Sequence, residues 1–307
     1  MPYFDLDLNP QQAAVFAQFQ AFADPKAPAG IFLLRGYAGT GKTTLVRGLV
    51  RYLEEKKASV QLLASTGRAA KVLADKTERE ARTIHSLVYT FKGITGDIEQ
   101  QAEAGQKAQP ENAGQQLLLD FAATTYAPPP GEQPAKHRFY LVDEASMISD
   151  KTGVGNSNSL FGDGRVLRDL LAFDREGKYV FIGDPCQLPP VDDVISPALD
   201  VLHLQDEYRR PVTDTELTQV MRQQGAHHSI LAAAADLRKL VQQPPSRKPF
   251  LPVKSHQGDQ VVIHRDLNGV YQHYLQVLKS RGDTYAPLIC HANWQRVRLN
   301  QMIREKL

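Results

Sequence analysis

Gly36-Tyr37-Ala38-Gly39-Thr40-Gly41-Lys42-Thr43-Thr44 lies between an apolar run at 31–35 and a stretch of helical periodicity at 43–55. Its first eight residues have the spacing GxxxxGK[ST], and the strand before and helix after supply the context that spacing requires. Glycines let the backbone curl until successive N–H groups converge on one anion, while the helix N-terminus adds the favourable end of its dipole. Such a loop wraps Gly36, Ala38, Gly39, Thr40, Gly41, Lys42, Thr43 and Thr44 around the phosphates of a nucleotide. Lys42 would reach the β- and γ-phosphates, and the Thr43 hydroxyl would ligate Mg²⁺, so ATP and Mg²⁺ are the expected cofactors.

Outward from this loop, apolar runs at 60–65, 139–143 and 178–183 alternate with helical patterns at 67–76 and 166–173. That rhythm predicts an α/β fold with a parallel sheet covered by helices. Two of the runs end on chemistry. Phe139-Tyr140-Leu141-Val142 delivers Asp143 and Glu144 at a strand's C-terminal end, where Asp143 would hold Mg²⁺ and Glu144 would deprotonate an attacking water. The run at 178–183 leads into Asp184-Pro185-Cys186-Gln187, in which Gln187 is a neutral donor able to sense the γ-phosphate.

Composition sets the outer bounds. At 307 residues the chain is long enough for about two domains. Thirty-six basic against 34 acidic residues give a net charge of +2, so any polyanion site must be local. Two cysteines exclude a disulfide framework and zinc sites built on paired cysteines, and fit a reducing, cytoplasmic setting. No run of eighteen apolar residues occurs, so no membrane association is expected. Residues 93–136 are rich in Gln, Gly, Ala and Pro and read as an insertion, with 117–121 left open as strand or short helix. Residues 151–164 read as a loop, 214–224 and 229–241 as helices. The C-terminal stretch returns to an α/β rhythm, with strands expected at 261–264 and 286–291 and helices at 267–280 and 294–307.

The phosphate loop, Asp143-Glu144-Ala145-Ser146-Met147 and the run from Gly183 to Val191, in that order, resemble the first RecA-like domain of superfamily 1 helicases, in the RecD-like 5′→3′ branch 1B. Leu8-Asn9-Pro10-Gln11-Gln12 resembles that family's adenine-reading motif and implies a base contact for Gln12. The stretch holding Ser65, Thr66, Gly67, Arg68 and Lys71, and the one holding Thr83 and His85, look like its two strand-contacting motifs. The run 216–223 is similar to the motif whose arginine, here Arg222, reaches the γ-phosphate from the second RecA-like domain. The resemblance implies a RecA-like P-loop NTPase domain from 1–92 and 137–200, with 93–136 in the place of a small strand-separating subdomain. It implies a partial second RecA-like domain at 201–307, because the family's later motifs have no counterpart before Leu307. It further implies an ATP-dependent helicase acting on single-stranded DNA or DNA junctions, with replication or repair proteins as partners and a nucleoid location in a prokaryote.

Charge agrees with a local nucleic-acid track: residues 42–92 hold eleven Lys or Arg against five Asp or Glu. Two rivals stay open. One is a nucleotide-switched DNA-binding or assembly module that hydrolyses ATP without unwinding. The other is a P-loop kinase transferring the γ-phosphoryl group to a small acceptor.

Overall fold

The computed structural model describes residues 2–95, 118–152, 159–191, 193–219, 228–242, 262, 264, 266–282, 288–290 and 292–306. They fall into two compact units, Met1–Gln223 and Gln224–Leu307.

In the first unit the strands are β1 (Ile31–Gly36), β2 (Ser59–Ala64), β3 (Ala81–Thr83), β4 (Tyr89–Thr95), β5 (Leu118–Ala123), β6 (Arg138–Asp143), β7 (Ser159–Phe161), β8 (Lys178–Gly183) and β9 (Val212–Leu217). The helices are α1 (Pro10–Ala23), α2 (Lys42–Glu55), α3 (Gly67–Thr77), α4 (Ile84–Val88), α5 (Val166–Phe173) and α6 (Val201–Tyr208). Six strands form one sheet in the order β3-β2-β6-β8-β1-β9, with every pairing parallel. This is the α/β class that the alternating pattern predicts.

The buried run of β1 shows why the sheet needs helices on both faces. Side chains alternate across a strand, so Phe32 and Leu34 join a core with Phe16 and Phe19 of α1 and Leu45 and Leu49 of α2. Ile31 and Leu33 point the other way, into a core with Ile84 of α4, Leu167 and Leu170 of α5 and Leu204 of α6. Both faces are dry, as parallel sheets require. Because all six strands run the same way, their C-terminal ends lie along one edge, and β1, β6 and β8 each release a functional loop there.

Two stretches differ from the sequence expectation. Residues 214–217 are strand and not helix: β9 pairs with β1 from Ile31↔Val212 to Gly36↔Leu217, so 201–217 pack with the first unit and its boundary lies after Gln223 instead of at 200. The expected insertion supplies part of a second sheet, β4-β5-β7, in which β4 and β5 are antiparallel and β7 joins parallel to β5. Of the stretch left open at 117–121, residues 118–121 are thus strand, and the expected loop at 151–164 contains β7; residues 96–117 and 153–158 lie outside the described ones.

The second unit contains α7 (His228–Gln242), α8 (Leu267–Arg281) and α9 (Asn293–Arg304). Tyr271, Leu275 and Leu278 of α8 pack with Leu299, Met302 and Ile303 of α9, and the Tyr271 hydroxyl donates to the Met302 carbonyl at 2.9 Å. Of the two strands expected here, the described residues Val262, His264, Leu288, Ile289 and Cys290 are not in strands; 261, 263, 286, 287 and 291 lie outside the described residues. Among the described residues, no helix is long and apolar enough to cross a membrane.

Candidate nucleotide site

The phosphate loop joins β1 to α2, with Gly39 at φ 83° and Gly41 at φ 85°. Both lie in the left-handed region that favours glycine. Space makes the same demand, since a Cβ on Gly41 would collide with the Gln12 side-chain nitrogen and one on Gly36 would lie 2.9 Å from Thr40 Oγ1. Lys42 opens α2, and its ammonium donates to the carbonyls of Gly36 and, at 3.0 Å, Tyr37. Burial pulls the Lys42 pKa below its ordinary value, and the nearby carboxylates of Asp184, Asp143 and Glu144 oppose that pull.

Asp143 ends β6 and accepts from the Glu144 N–H at 3.0 Å. Glu144 sits at φ 52° and ψ 40°, a left-handed conformation that costs an ordinary residue roughly 1–2 kcal/mol. The strained turn sets two carboxylates side by side. Both pKa values are raised above the carboxylate range, Asp143 by burial and Glu144 by burial and then by the charge of Asp143. Gln187 follows β8, accepts from Ser146 Oγ at 3.2 Å, and lies near enough to Glu144 for its amide to favour the ionised carboxylate.

These parts meet in one open cavity of about 800 Å³, lined by Ala38, Gly39, Gly41, Lys42, Thr43, Thr44, Asp143, Glu144 and Gln187. Ser65, Thr66 and Arg68 line it as well. The structure therefore brings together most of the expected phosphate and metal residues and adds part of the expected strand-contacting set. Gly36 and Thr40 shape the loop from behind: Thr40 is buried, with its hydroxyl donating to the Tyr37 carbonyl at 2.9 Å.

Gln12 bridges α1 and the phosphate loop. It is 5% exposed, accepts from the Asn9 N–H at 3.1 Å in the capping box of α1, and donates to the Thr40 carbonyl at 3.3 Å. In this arrangement it supports the phosphate loop. The hydroxyls of Thr66 and Thr83 cap α3 and α4, accepting from Ala69 N–H at 3.2 Å and Ser86 N–H at 3.1 Å. His85 is half-buried against the ring of Phe161, at 4.7 Å between centroids, and burial lowers its pKa. Gly67 opens α3 and Lys71 lies exposed one turn further along it. Arg222 lies outside the described residues.

Two residues escaped the sequence reading. Lys76, in the last turn of α3, lines the cavity, and its charge acts on Asp143. Asp184 is buried, and its carboxylate accepts from the Ala38 N–H of the phosphate loop at 3.0 Å. The signal for Asp184 was present, since it follows a buried strand as Asp143 ends one. Nothing local marks Lys76.

Comparison with known proteins fits this geometry. The family profile described as AAA domain matches residues 7–243. An ATP-dependent RecD2 DNA helicase from Deinococcus radiodurans is 28% identical over 231 residues, which span 75% of this chain and 24% of that protein. The chain thus covers about a quarter of that relative's length. Among solved structures, the Pif1 helicase from Candida albicans superposes with a TM-score of 0.44 at 18% identity, over 96% of this chain and 61% of that one. The Aeropyrum pernix ORC2 protein in its ADP form gives a TM-score of 0.28 at 10% identity, over 78% and 55% of the two chains. The likeness to the RecD-like branch read from the motifs is borne out by the RecD2 relative.

Proposed function

The chain belongs to the AAA domain family, and from that premise we propose that the cavity binds ATP with Mg²⁺ and hydrolyses it to drive movement on single-stranded DNA. One observation carries the reading: Lys42, Thr43, Asp143, Glu144 and Gln187, separated by up to 145 positions in the chain, line a single cavity at the C-terminal edge of a parallel sheet.

The donors suit the cofactor. Thr43 offers a hydroxyl and Asp143 a carboxylate, the hard oxygen ligands that Mg²⁺ takes alongside phosphate and water. When bound, Mg²⁺ would offset phosphate charge between these two residues. The chain's own groups do the rest. Backbone amides at the start of α2 hold the phosphates, and the Lys42 ammonium, released from the Gly36 and Tyr37 carbonyls, moves onto them. Glu144 takes the proton of the water that attacks the γ-phosphorus as the bond to the β-phosphate oxygen breaks. Its raised pKa makes it a stronger proton acceptor than an ordinary carboxylate. Gln187, whose amide favours the ionised Glu144, would report the state of that carboxylate. Arg222, expected from the sequence, would stabilise charge on the transferred group.

The DNA-facing part rests on Arg68 and Lys71 at the α3 N-terminus, on Thr83 and His85, and on the family likeness, from which the 5′→3′ direction follows. Because Ser65, Thr66 and Arg68 line the nucleotide cavity too, the proposed track and fuel site would share a wall. The test is ATP hydrolysis with and without single-stranded DNA, for the parent and for Lys42→Ala. Stimulation of the parent and loss of nucleotide binding in the variant are expected. Hydrolysis indifferent to DNA would remove the motor reading, and phosphoryl transfer to a small acceptor would replace it with a kinase.

A further inference from the structure

Asp184 is 6% exposed and accepts three hydrogen bonds, one of which joins two loops. One carboxylate oxygen accepts from Ala38 N–H at 3.0 Å, across 146 positions of sequence. The other accepts from Cys186 N–H at 2.8 Å, and the Asp184 carbonyl accepts from Gln187 N–H at 3.1 Å. The bonds to Cys186 and Gln187 make a turn that asparagine would form equally well. The bond to Ala38 plays no part in that turn. It fastens the phosphate loop to the segment that carries Gln187, which in turn accepts from Ser146 Oγ at 3.2 Å, two residues past Glu144.

A buried carboxylate is costly unless bonded, so a turn alone is a poor reason to place one here. A second observation concerns charge: the Asp184 carboxylate acts on the Lys42 ammonium, the group that the phosphates would engage. We propose that Asp184 is a positioning residue that holds the phosphate loop in register with Gln187 and the Asp143–Glu144 pair, so that the loop and the Gln187 turn respond to nucleotide as one piece. This rests on the nucleotide-hydrolysing reading above.

Asp184→Asn separates the roles. Its single acceptor oxygen can serve Ala38 or Cys186 but not both, since its NH₂ group then faces an N–H donor. Turnover per nucleotide-binding site, counted by titration with a fluorescent ADP analogue, should fall about tenfold or more, the scale of one lost charge-assisted bond in the transition state. The KM for ATP should stay or drop, because a negative charge beside the phosphates is gone. A residue that only stabilises the fold would lower the melting temperature and the fraction of binding sites, and leave turnover per site and KM at parent values. That outcome overturns the proposal.

Hydrogen exchange in the parent supplies a test that needs no variant. Peptides covering 37–41 and 185–188 should gain protection together on ADP binding, and protection of the first alone would sink the idea. A parent that neither binds nor hydrolyses nucleotide would overturn the reading beneath it and this proposal together. A working parent with an unaffected variant removes only the role of Asp184.

Discussion

The two ends of the parallel sheet bury the same kinds of residue and treat them in opposite ways. At the N-terminal end, Arg138 opens β6 and forms a bidentate pair with buried Asp174, at 2.5 and 2.9 Å, while the Tyr140 hydroxyl donates to the same carboxylate at 2.8 Å. Lys178 opens β8 and donates to the carbonyls of Phe22 and Asp24 at 2.8 and 2.7 Å, closing the end of α1. Arg210 donates to the carbonyls of Leu171, Asp174, Arg175 and Gly177. At the C-terminal end Asp143 and Glu144 stand next to one another, and Glu144 sits on a strained backbone. The pKa directions record the contrast. Burial pushes all three carboxylates up, but Arg138 and Tyr140 more than offset it at Asp174, which ends below the usual range, while Asp143 and Glu144 end above it. A buried acid with full partners contributes stability, whereas one with too few keeps an affinity for protons that chemistry can use.

Breaking the C-terminal end should give the largest effect. Glu144→Gln keeps the shape and removes the base, so turnover should fall by about 10²–10⁴ while nucleotide affinity is retained. Proton linkage adds a sign. Glu144 has a folded pKa above its unfolded value, so its ionised form costs stability at neutral pH, a cost that sets in as pH rises past the unfolded carboxylate value. The variant should therefore be at least as stable as the parent at pH 7 in urea unfolding, and lower stability there would contradict the contrast. The acid limb of the parent's pH–rate profile should likewise lie above that of an ordinary glutamate.

Breaking the N-terminal end should reverse the pattern. Arg138→Met strands Asp174 in the interior, and removing one partner of a buried pair typically costs about 3–5 kcal/mol. Asp174 has a depressed pKa, so its contribution is present above the unfolded carboxylate value and lost as pH falls through the folded one. The stability gap between parent and variant should accordingly narrow in acid. Hydrolysis per folded molecule should match the parent, and a specific loss of turnover would show that the two ends are coupled.

A smaller effect sharpens what the C-terminal edge is for. Arg68→Ala with Lys71→Ala should reduce the salt dependence of single-strand binding by about 0.7 in log–log slope for each DNA phosphate that is no longer neutralised. Arg68 lines the nucleotide cavity, so the pair also decides between two roles. An unchanged slope with weaker nucleotide binding would assign Arg68 to the fuel.

How far the sequence could be read follows the same division. The four inner strands were legible because their runs are apolar on both faces, and Lys42, Asp143 and Glu144 because each follows or ends such a run at a fixed offset. β9 was not, because Val212–Leu217 is mostly polar by composition. Its Thr215 is buried with a 2.6 Å bond to the Leu33 carbonyl, and Asp214 pairs with Arg35 at 2.6 Å. Those polar groups have partners only once the chain has folded, and no local pattern announces them. Asp184 repeats the lesson, since its neighbours predict a turn and its partner in the phosphate loop is 146 positions away. The base contact expected for Gln12 met a side chain already engaged at both ends, where the capping box was readable in Asn9-Pro10-Gln11-Gln12 but its bond to Thr40 was not.

The smallest prediction isolates the strain at the acid pair. At an ordinary helical position such as Glu54, glycine is less stable than alanine by roughly 0.5–1 kcal/mol, because it gives the unfolded chain more freedom to lose. At Glu144 the backbone is left-handed, where alanine's Cβ crowds the following carbonyl and glycine has none. Both replacements remove the carboxylate and the raised proton affinity with it, so the difference between them reports the backbone alone. Glu144→Gly should be more stable than Glu144→Ala by about 1 kcal/mol, the reverse of the order at Glu54. If alanine were the more stable at both positions, the turn would not be strained. The arrangement of Asp143 beside Glu144 would then be a relaxed consequence of where β6 ends, and the difference between the sheet's two ends would lie in side-chain partners alone.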